Sequence, residues 1–503
     1  MRFLRLGLIV GLALAVSGCG AKKQAGSIPA GAEFAPASVP VYIALATDPN
    51  GVQWKAAERL LNRFPGREKL FASAKKDLAK DGLDWSRDVE PALPPVVHIV
   101  WVDFENDGSN VVGYAKPKDE AKFAKLLESG DADDMLVHRK VEGWTVFSDT
   151  QAKIDRFLSA RSNGDPLTDN RAFKDAMGKL PEDAAVRGWV NGESIQAAID
   201  RAAASEPDAQ SFKEFSKQFG TLESASFSAK AEDDGIKVVA AYVAKGQPKT
   251  GNFSAELDET LPSGALAYVS FGNLEDFLNG VLDGVDKSIP EFKTQRAQIE
   301  TALGFTLKGD LFPLFSKEGA LAVYRQPNER QFPIVLFTLR VPDEADARRV
   351  VDRLAAFAAL SGKDSGLTVH DVTVGGAKGK EIVYVYVEGI LVVSIFAVVT
   401  DGKVFLTNEK ATLAQALDDS SKLADDAVYK AARDSSGAPD ESLGFVYLNL
   451  RASLPYIFDY AQGSDPSAIT PDVTANTKPL ESAFLFAKRD GDRISVSGFL
   501  AIK

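Results

Sequence analysis

The sequence predicts an α+β protein built from two homologous domains, each an antiparallel sheet with packed helices. Three observations point there. Four stretches recur in the same order along the chain. Runs rich in β-branched and aromatic residues are joined by short turns, as in antiparallel hairpins. Amphipathic helical stretches cluster between those hairpins instead of alternating singly with strands, which favours α+β over a parallel α/β sheet.

The first element, "MRFLRLGLIVGLALAVSGCG", places Arg2 and Arg5 before an apolar run of 11 residues, Leu6 to Val16. A membrane-spanning helix needs about 20 residues, so this pattern is a secretory signal. Val16-Ser17-Gly18-Cys19 resembles the lipobox of bacterial lipoproteins. That resemblance implies removal of residues 1–18 as a lipoprotein signal peptide and lipidation of Cys19, with diacylglycerol on the thiol and fatty acyl chains such as palmitate. Cys19 is the only cysteine, which excludes a disulfide within the chain and a thiolate metal cluster. Two acyl chains suffice for stable attachment, at about 0.8 kcal/mol per buried CH₂. The expected location is extracytoplasmic, lipid-anchored to the cell membrane.

Residues 19–38, including "GAKKQAGSIPAGAEFAPAS", are small, polar and proline-punctuated, without apolar periodicity. They read as a flexible tether. The formal net charge of −12 becomes −14 once Arg2 and Arg5 leave with the signal. So acidic a chain argues against nucleic acid as a partner.

The repeats come next. "APASVPVYIALATDPN" at Ala35 matches "LPSGALAYVSFGNLED" at Leu261. "GLDWSRDVEPAL" at Gly82 matches "GFTLKGDLFPLF" at Gly304. "EGWTVFSDTQAKIDRFL" at Glu142 matches "DGKVFLTNEKATLAQAL" at Asp401, and "LESASFSAKAEDDGIK" at Leu222 matches "LESAFLFAKRDGDRIS" at Leu480. The predicted boundaries are 39–246 for the first repeat domain, 247–258 for the linker and 259–503 for the second. Extra residues in the second copy fall near Lys363 to Thr400. Within them Ile382 to Val399 reads as two buried strands split at Glu388-Gly389, not a membrane span.

These matching stretches together resemble a bacterial envelope family described as domain of unknown function 3352. The resemblance rests on the proline-led first strand followed by "DPNGVQWKAAERLLNRFPGREKL", the G…D-x-x-P turn in both copies, and the hairpin-plus-helix at Glu142 and Asp401. It implies a surface lipoprotein of duplicated architecture and carries no activity with it.

Several short motifs imitate catalytic or binding sites. Ser73-x-x-Lys76, Ser148-Asp149-Thr150 and Lys249-Thr250-Gly251 follow the order of the Ser-Lys acyl-transfer set. Yet Ser73 falls in a lysine-rich surface helix, Ser148 to Thr150 precede a helix as an N-cap, and Lys249 lies in the linker. Asp103, Glu105, Asp107 and Gly108 mimic the start of an EF-hand loop, but position twelve would be Tyr114 where glutamate is required. A hairpin turn explains them. "GGAKGKE" at Gly375 has three residues, not four, before its Gly-Lys pair, and Glu381 replaces the Mg²⁺-binding hydroxyl, so it too reads as a hairpin. His98, His138 and His370 lie in separate strands without metal-ligand spacing. Asp88 and Asp310, each three residues before a proline, read as turn or cap residues that a duplicated fold inherits twice.

No catalytic residue, metal or cofactor is expected. The predicted role is a non-catalytic, lipid-anchored envelope protein with a binding or interaction function toward an unknown envelope protein or ligand. The first alternative is a carrier of a lipid or hydrophobic ligand, motivated by the apolar strands at Glu381–Val399. The second is a Ser-Lys acyl hydrolase.

Overall fold

A computed structural model describes residues 27–105, 108–129, 135–205, 220–247, 250–326, 332–362, 366–386, 391–465 and 467–503. Its helices and antiparallel strands make it an α+β protein. It divides into two compact units.

The first unit carries strands β1 (Val41–Ala46), β2 (Val96–Trp101), β3 (Val111–Ala115), β4 (Val137–Val141), β5 (Trp144–Ser148), β6 (Val186–Asn191), β7 (Thr221–Glu232) and β8 (Gly235–Lys245). Its helices are α1 (Val52–Leu61), α2 (Arg67–Lys80), α3 (Glu120–Leu127), α4 (Gln151–Asn163), α5 (Arg171–Met177) and α6 (Gly192–Ser205). The sheet runs β4-β5-β3-β2-β1-β6-β7-β8, antiparallel throughout.

Both faces of this sheet are covered. Tyr42, Val100, Tyr114, Val146 and Trp189 pack with Ile154 and Phe157 of α4 and Phe173 of α5. On the opposite face Val97 and Phe147 pack with Leu78 of α2 and with Phe123 and Leu127 of α3. Double burial explains why "VVHIVW" is apolar at nearly every position, without the polar alternation of a half-exposed strand.

The second unit contains β9 (Phe253–Ser254), β10 (Ala267–Gly272), β11 (Glu318–Tyr324), β12 (Ile334–Arg340), β13 (Leu367–Val374), β14 (Ala377–Tyr386), β15 (Leu391–Thr400), β16 (Lys403–Thr407), β17 (Glu441–Ser442), β18 (Gly444–Leu448) and β19 (Leu480–Asp490). Its helices are α7 (Glu275–Ser288), α8 (Pro290–Leu303), α9 (Glu344–Ser361), α10 (Lys410–Leu417), α11 (Ala427–Ser436) and α12 (Leu450–Ser464). The main sheet runs β13-β14-β15-β16-β12-β11-β10-β18-β19, and β9 pairs with β17 separately. One face packs Tyr268, Phe405 and Tyr447 with Leu413 of α10 and Tyr429 of α11. The other packs Leu339 and Val404 with Ala347 and Val350 of α9. The path from β15 to β19 thus follows the path from β4 to β7, with β13 and β14 added at one edge.

Local devices recur as well. Glu142-Gly143 and Asp401-Gly402 turn two hairpins, with φ of 51° and 79° in the first and 52° and 68° in the second. Two successive positive φ values are the signature of a type I′ turn, which matches strand twist. Asp88 and Asp310 each close a single π-helical turn, Trp85–Val89 and Leu307–Leu311. Asp88 accepts from the backbone N–H of Asp84 (2.9 Å) and Asp310 from that of Thr306 (2.8 Å). Each also meets a cation from the next helix, Lys125 of α3 (3.1 Å) or Arg349 of α9 (3.0 Å). The bond from Arg87 is the main reason the Asp88 carboxyl sits well below its usual range, and the Thr306 N–H does the same for Asp310.

Four expectations need correction. The stretch 27–38 is not a free tether: Ala32, Phe34 and Ala35 are buried, and Phe34 stacks on Trp144 (5.2 Å) and lies tilted against Tyr114 (5.2 Å). One aromatic ring in a stretch without periodicity leaves no pattern to read, yet burying it contributes about 1.5–3 kcal/mol. The stretch 247–258 is not wholly a linker. Leu257 and Asp258 are buried, with the Leu257 N–H donating to Glu318 (3.1 Å) and the Tyr429 hydroxyl to Asp258 (2.9 Å). Nor does 259–503 stay in one unit. Helix α13 (Pro471–Thr477) and strand β20 (Arg493–Ile502) belong to the first, where β20 pairs with β8 over nine residues. Finally, the described part of Ile382 to Val399 is buried only at its base, and Glu388-Gly389, the expected split, lies outside the described residues. Val398 and Val399 are enclosed, whereas Tyr384, Val392 and Ile395 are exposed, because β15 meets β16 only from Phe396 onward.

Candidate functional site

Strand side chains alternate, so β6 presents Arg187, Trp189 and Asn191 on one face. In register, Trp189 faces Tyr42 and Arg187 faces Ala44. The second unit has the same geometry with different chemistry: Tyr447 faces Tyr268 and Phe445 faces Ser270. Phe445 is a core residue, stacked 5.1 Å from Phe484. Its topological counterpart Arg187 is an arginine only 4% exposed.

The Arg187 Nη2 donates to the backbone oxygens of Ser27 (2.5 Å) and Met177 (2.9 Å). Its Nε is enclosed without a partner, and among the described residues no carboxylate forms an ion pair with it. Burial pulls its pKa below the ordinary arginine value, opposed by the fields of Tyr42 and Glu182. A charge held this way is costly unless something compensates it.

A cavity of about 400 Å³ lies against this arginine. Its wall includes Glu182 and Asp183 from the turn between α5 and β6, Asp48 and Trp54 around the start of α1, and Ser27 from the N-terminal segment. Asp183 pairs with Lys230 (2.8 Å) and Asp48 with Lys118 (3.3 Å). Glu182 pairs with no cation among the described residues and accepts only from the Ser27 hydroxyl (2.7 Å). The cavity therefore carries a buried cation without a counter-charge and, on its solvent-exposed wall, a carboxylate that pairs with no cation among the described residues. It sits at the small end of the ~300–1,000 Å³ range of ligand pockets.

A second cavity, of about 600 Å³, runs along α5 and is lined by Trp189, Lys179, Glu193 and Arg493 among others. The Trp189 indole N–H is buried and unpartnered. Arg493 is half-buried, and burial lowers its pKa. Most charges there face solvent, so the enclosed arginine makes the first cavity the stronger candidate.

The motifs singled out from sequence fall elsewhere. Cys19 lies outside the described residues. Ser73 is exposed on α2, while Ser148 is fully buried, its hydroxyl donating to the Val111 oxygen (2.7 Å). Thr150 occupies the N-cap of α4 but its side chain makes no capping hydrogen bond. Lys249 lies outside the described residues, as does Asp107. Asp103 and Glu105 both pair with Arg156. Gly375 and Gly376 form the two-residue turn between β13 and β14. His98 is buried, 2.8 Å from the Tyr42 hydroxyl and stacked on Tyr114, and burial lowers its pKa to about 3. His138 meets Glu128 (3.0 Å) and His370 meets Thr368 (3.2 Å) at the surface. Among the described residues no cluster of three His, Cys, Asp or Glu could hold a metal.

Sequence reading missed Arg187 and Glu182. The one trace in the sequence, "RGW" at Arg187 against "FVY" at Phe445, emerges only once strand register sets the two stretches side by side.

The family described as "Protein of unknown function (DUF3352)" matches residues 145–378, a segment reaching from β5 into the second unit. No curated protein sequence matches the chain. Among solved structures it is similar to crystal form I of TP0453, at 9% identity and a TM-score of 0.22, covering 44% of this chain and 82% of that one. Crystal form IV of TP0453 gives 10% identity and a TM-score of 0.22, over 50% and 94% of the two chains. Likeness at that level carries no functional argument.

Proposed function

We propose that the protein is a lipid-anchored, extracytoplasmic binding protein of two homologous α+β domains. The observation that carries the binding role is the cavity at Arg187, where a buried charge stands without a counter-charge in a position the second unit fills with Phe445. Common strand order, the paired I′ turns and the Asp88 and Asp310 turns support the duplication.

The anchor reading rests on Cys19 and the apolar run before it. Cys19→Ser is expected to abolish incorporation of labelled palmitate and release the protein from the membrane fraction; retention would refute the anchor. For binding, a thermal shift of the purified protein with small-molecule extracts of the envelope should reveal a stabilising fraction, and no shift from any fraction would refute it.

A hydrophobic-ligand carrier is a second reading, favoured by the exposed Tyr384, Val392 and Ile395 on β14 and β15. Native mass spectrometry of the purified protein tests it: lipid adducts support it and adduct-free spectra reject it.

A further inference from the structure

Within the binding role just proposed, and resting on it, we infer that the Arg187 cavity takes a small zwitterion: a carboxylate or phosphate group at Arg187 and an ammonium group at Glu182. Four observations converge on that chemistry.

The sheet position does not itself require an arginine, since the same place in the second unit holds Phe445. Arg187 and Glu182 line one cavity, and neither has an opposite charge as partner among the described residues. The two do not pair with each other, although the Glu182 field is felt at the guanidinium. A plain anion would satisfy Arg187 but meet the carboxylate of Glu182, the one acidic group of the wall that no lysine holds, since Asp48 and Asp183 pair with Lys118 and Lys230. A plain cation would leave the buried arginine as it is. Only a molecule carrying both charges satisfies both groups.

Ser27 sets the scale. Its backbone oxygen accepts from Arg187 while its hydroxyl donates to Glu182. One residue therefore spans the two charged groups, so a molecule the length of a single amino acid spans them as well. The Arg187 Nη1, which makes no hydrogen bond among the described residues, is left for the incoming anion. Two sources share this chemistry: free amino acids, and the phosphoethanolamine headgroup of a lipid.

Isothermal titration of the purified full chain with alanine and with O-phosphoethanolamine tests the proposal. At least one is expected to bind saturably at one site. Alanine alone assigns the site to amino acids, phosphoethanolamine alone to headgroups, and both results support the shared chemistry. Capping either charge of the bound probe, as in N-acetylalanine, alaninamide or ethanolamine, should weaken binding at least tenfold. Glu182→Gln, at an exposed position, should weaken the zwitterion at least tenfold as well. The proposal is overturned if neither probe saturates the site by 10 mM (roughly 100-fold above a 100 μM dissociation constant). It is equally overturned if a singly charged analogue binds as tightly as its parent, or if Glu182→Gln changes nothing. A stabilising envelope fraction found together with silent zwitterions would sink this ligand class and leave the binding role standing.

Discussion

Arg187 and Phe445 occupy corresponding places on corresponding strands, and only one of them is good packing. Phe445 sits among Tyr268, Tyr429 and Phe484, the kind of aromatic cluster that stabilises a sheet–helix interface. Arg187 spends the same burial on a charge. The units agree elsewhere on turns, strand order and the two helix-covered faces, so the disagreement marks where the first unit departs from what the scaffold needs. Buried charge without a partner is a poor way to stabilise a fold and a good way to hold a ligand.

The comparison breaks most visibly when the arginine is moved. Phe445→Arg places a guanidinium among Tyr268, Tyr429 and Phe484 in the second unit's aromatic core. Loss of more than about 4 kcal/mol is expected in urea unfolding, against a much smaller loss if the two environments were equivalent.

Acid distinguishes the units next. His98 pairs across the sheet with Ala44, whereas the corresponding strand partner of Ser270 is Ala320. With its folded pKa near 3 and an unfolded value near 6.5, His98 binds its proton more readily in the unfolded chain. Its contribution is complete above about pH 6.5 and falls as pH drops toward 3, by about 1.4 kcal/mol per pH unit. Unfolding at stepped pH should show that slope in the wild type and a shallower one in His98→Leu; equal slopes would remove His98 from the account.

The N-terminal segment gives a smaller effect. Phe34→Ala should cost about 3 kcal/mol, read as a lowered urea midpoint. A loss below about 1 kcal/mol would mean that 27–38 behaves as the free tether its composition suggests.

What was legible in the sequence was local or periodic. The turns at Glu142 and Asp401, the Asp88 and Asp310 turns and the apolar strands each carry their signal within a dozen residues, and each occurs in both units. What was not legible depended on distant partners. Phe34 has meaning only beside Trp144 and Tyr114, more than 75 residues away. The C-terminal strand β20 joins the first unit by pairing with β8, whose residues lie 250 to 266 positions earlier in the chain (Arg493 with Val243, Ala501 with Gly235). Arg187 and Glu182 looked like ordinary charges because burial and the missing counter-ion exist only in three dimensions. The EF-hand and Ser-Lys imitations were legible too, and in Asp103 and Ser148 they resolve into an ion pair and a strand-end hydrogen bond.

Stability and binding measured together on Arg187→Met test the central claim most directly. If the arginine serves a ligand, the variant should unfold within about 1 kcal/mol of the wild type, since an apolar side chain of similar length replaces a buried charge, and should no longer take up alanine or O-phosphoethanolamine. A variant that loses more than about 3 kcal/mol while zwitterion uptake is unchanged would show the guanidinium to be a structural clasp for Ser27 and Met177, and would contradict the account.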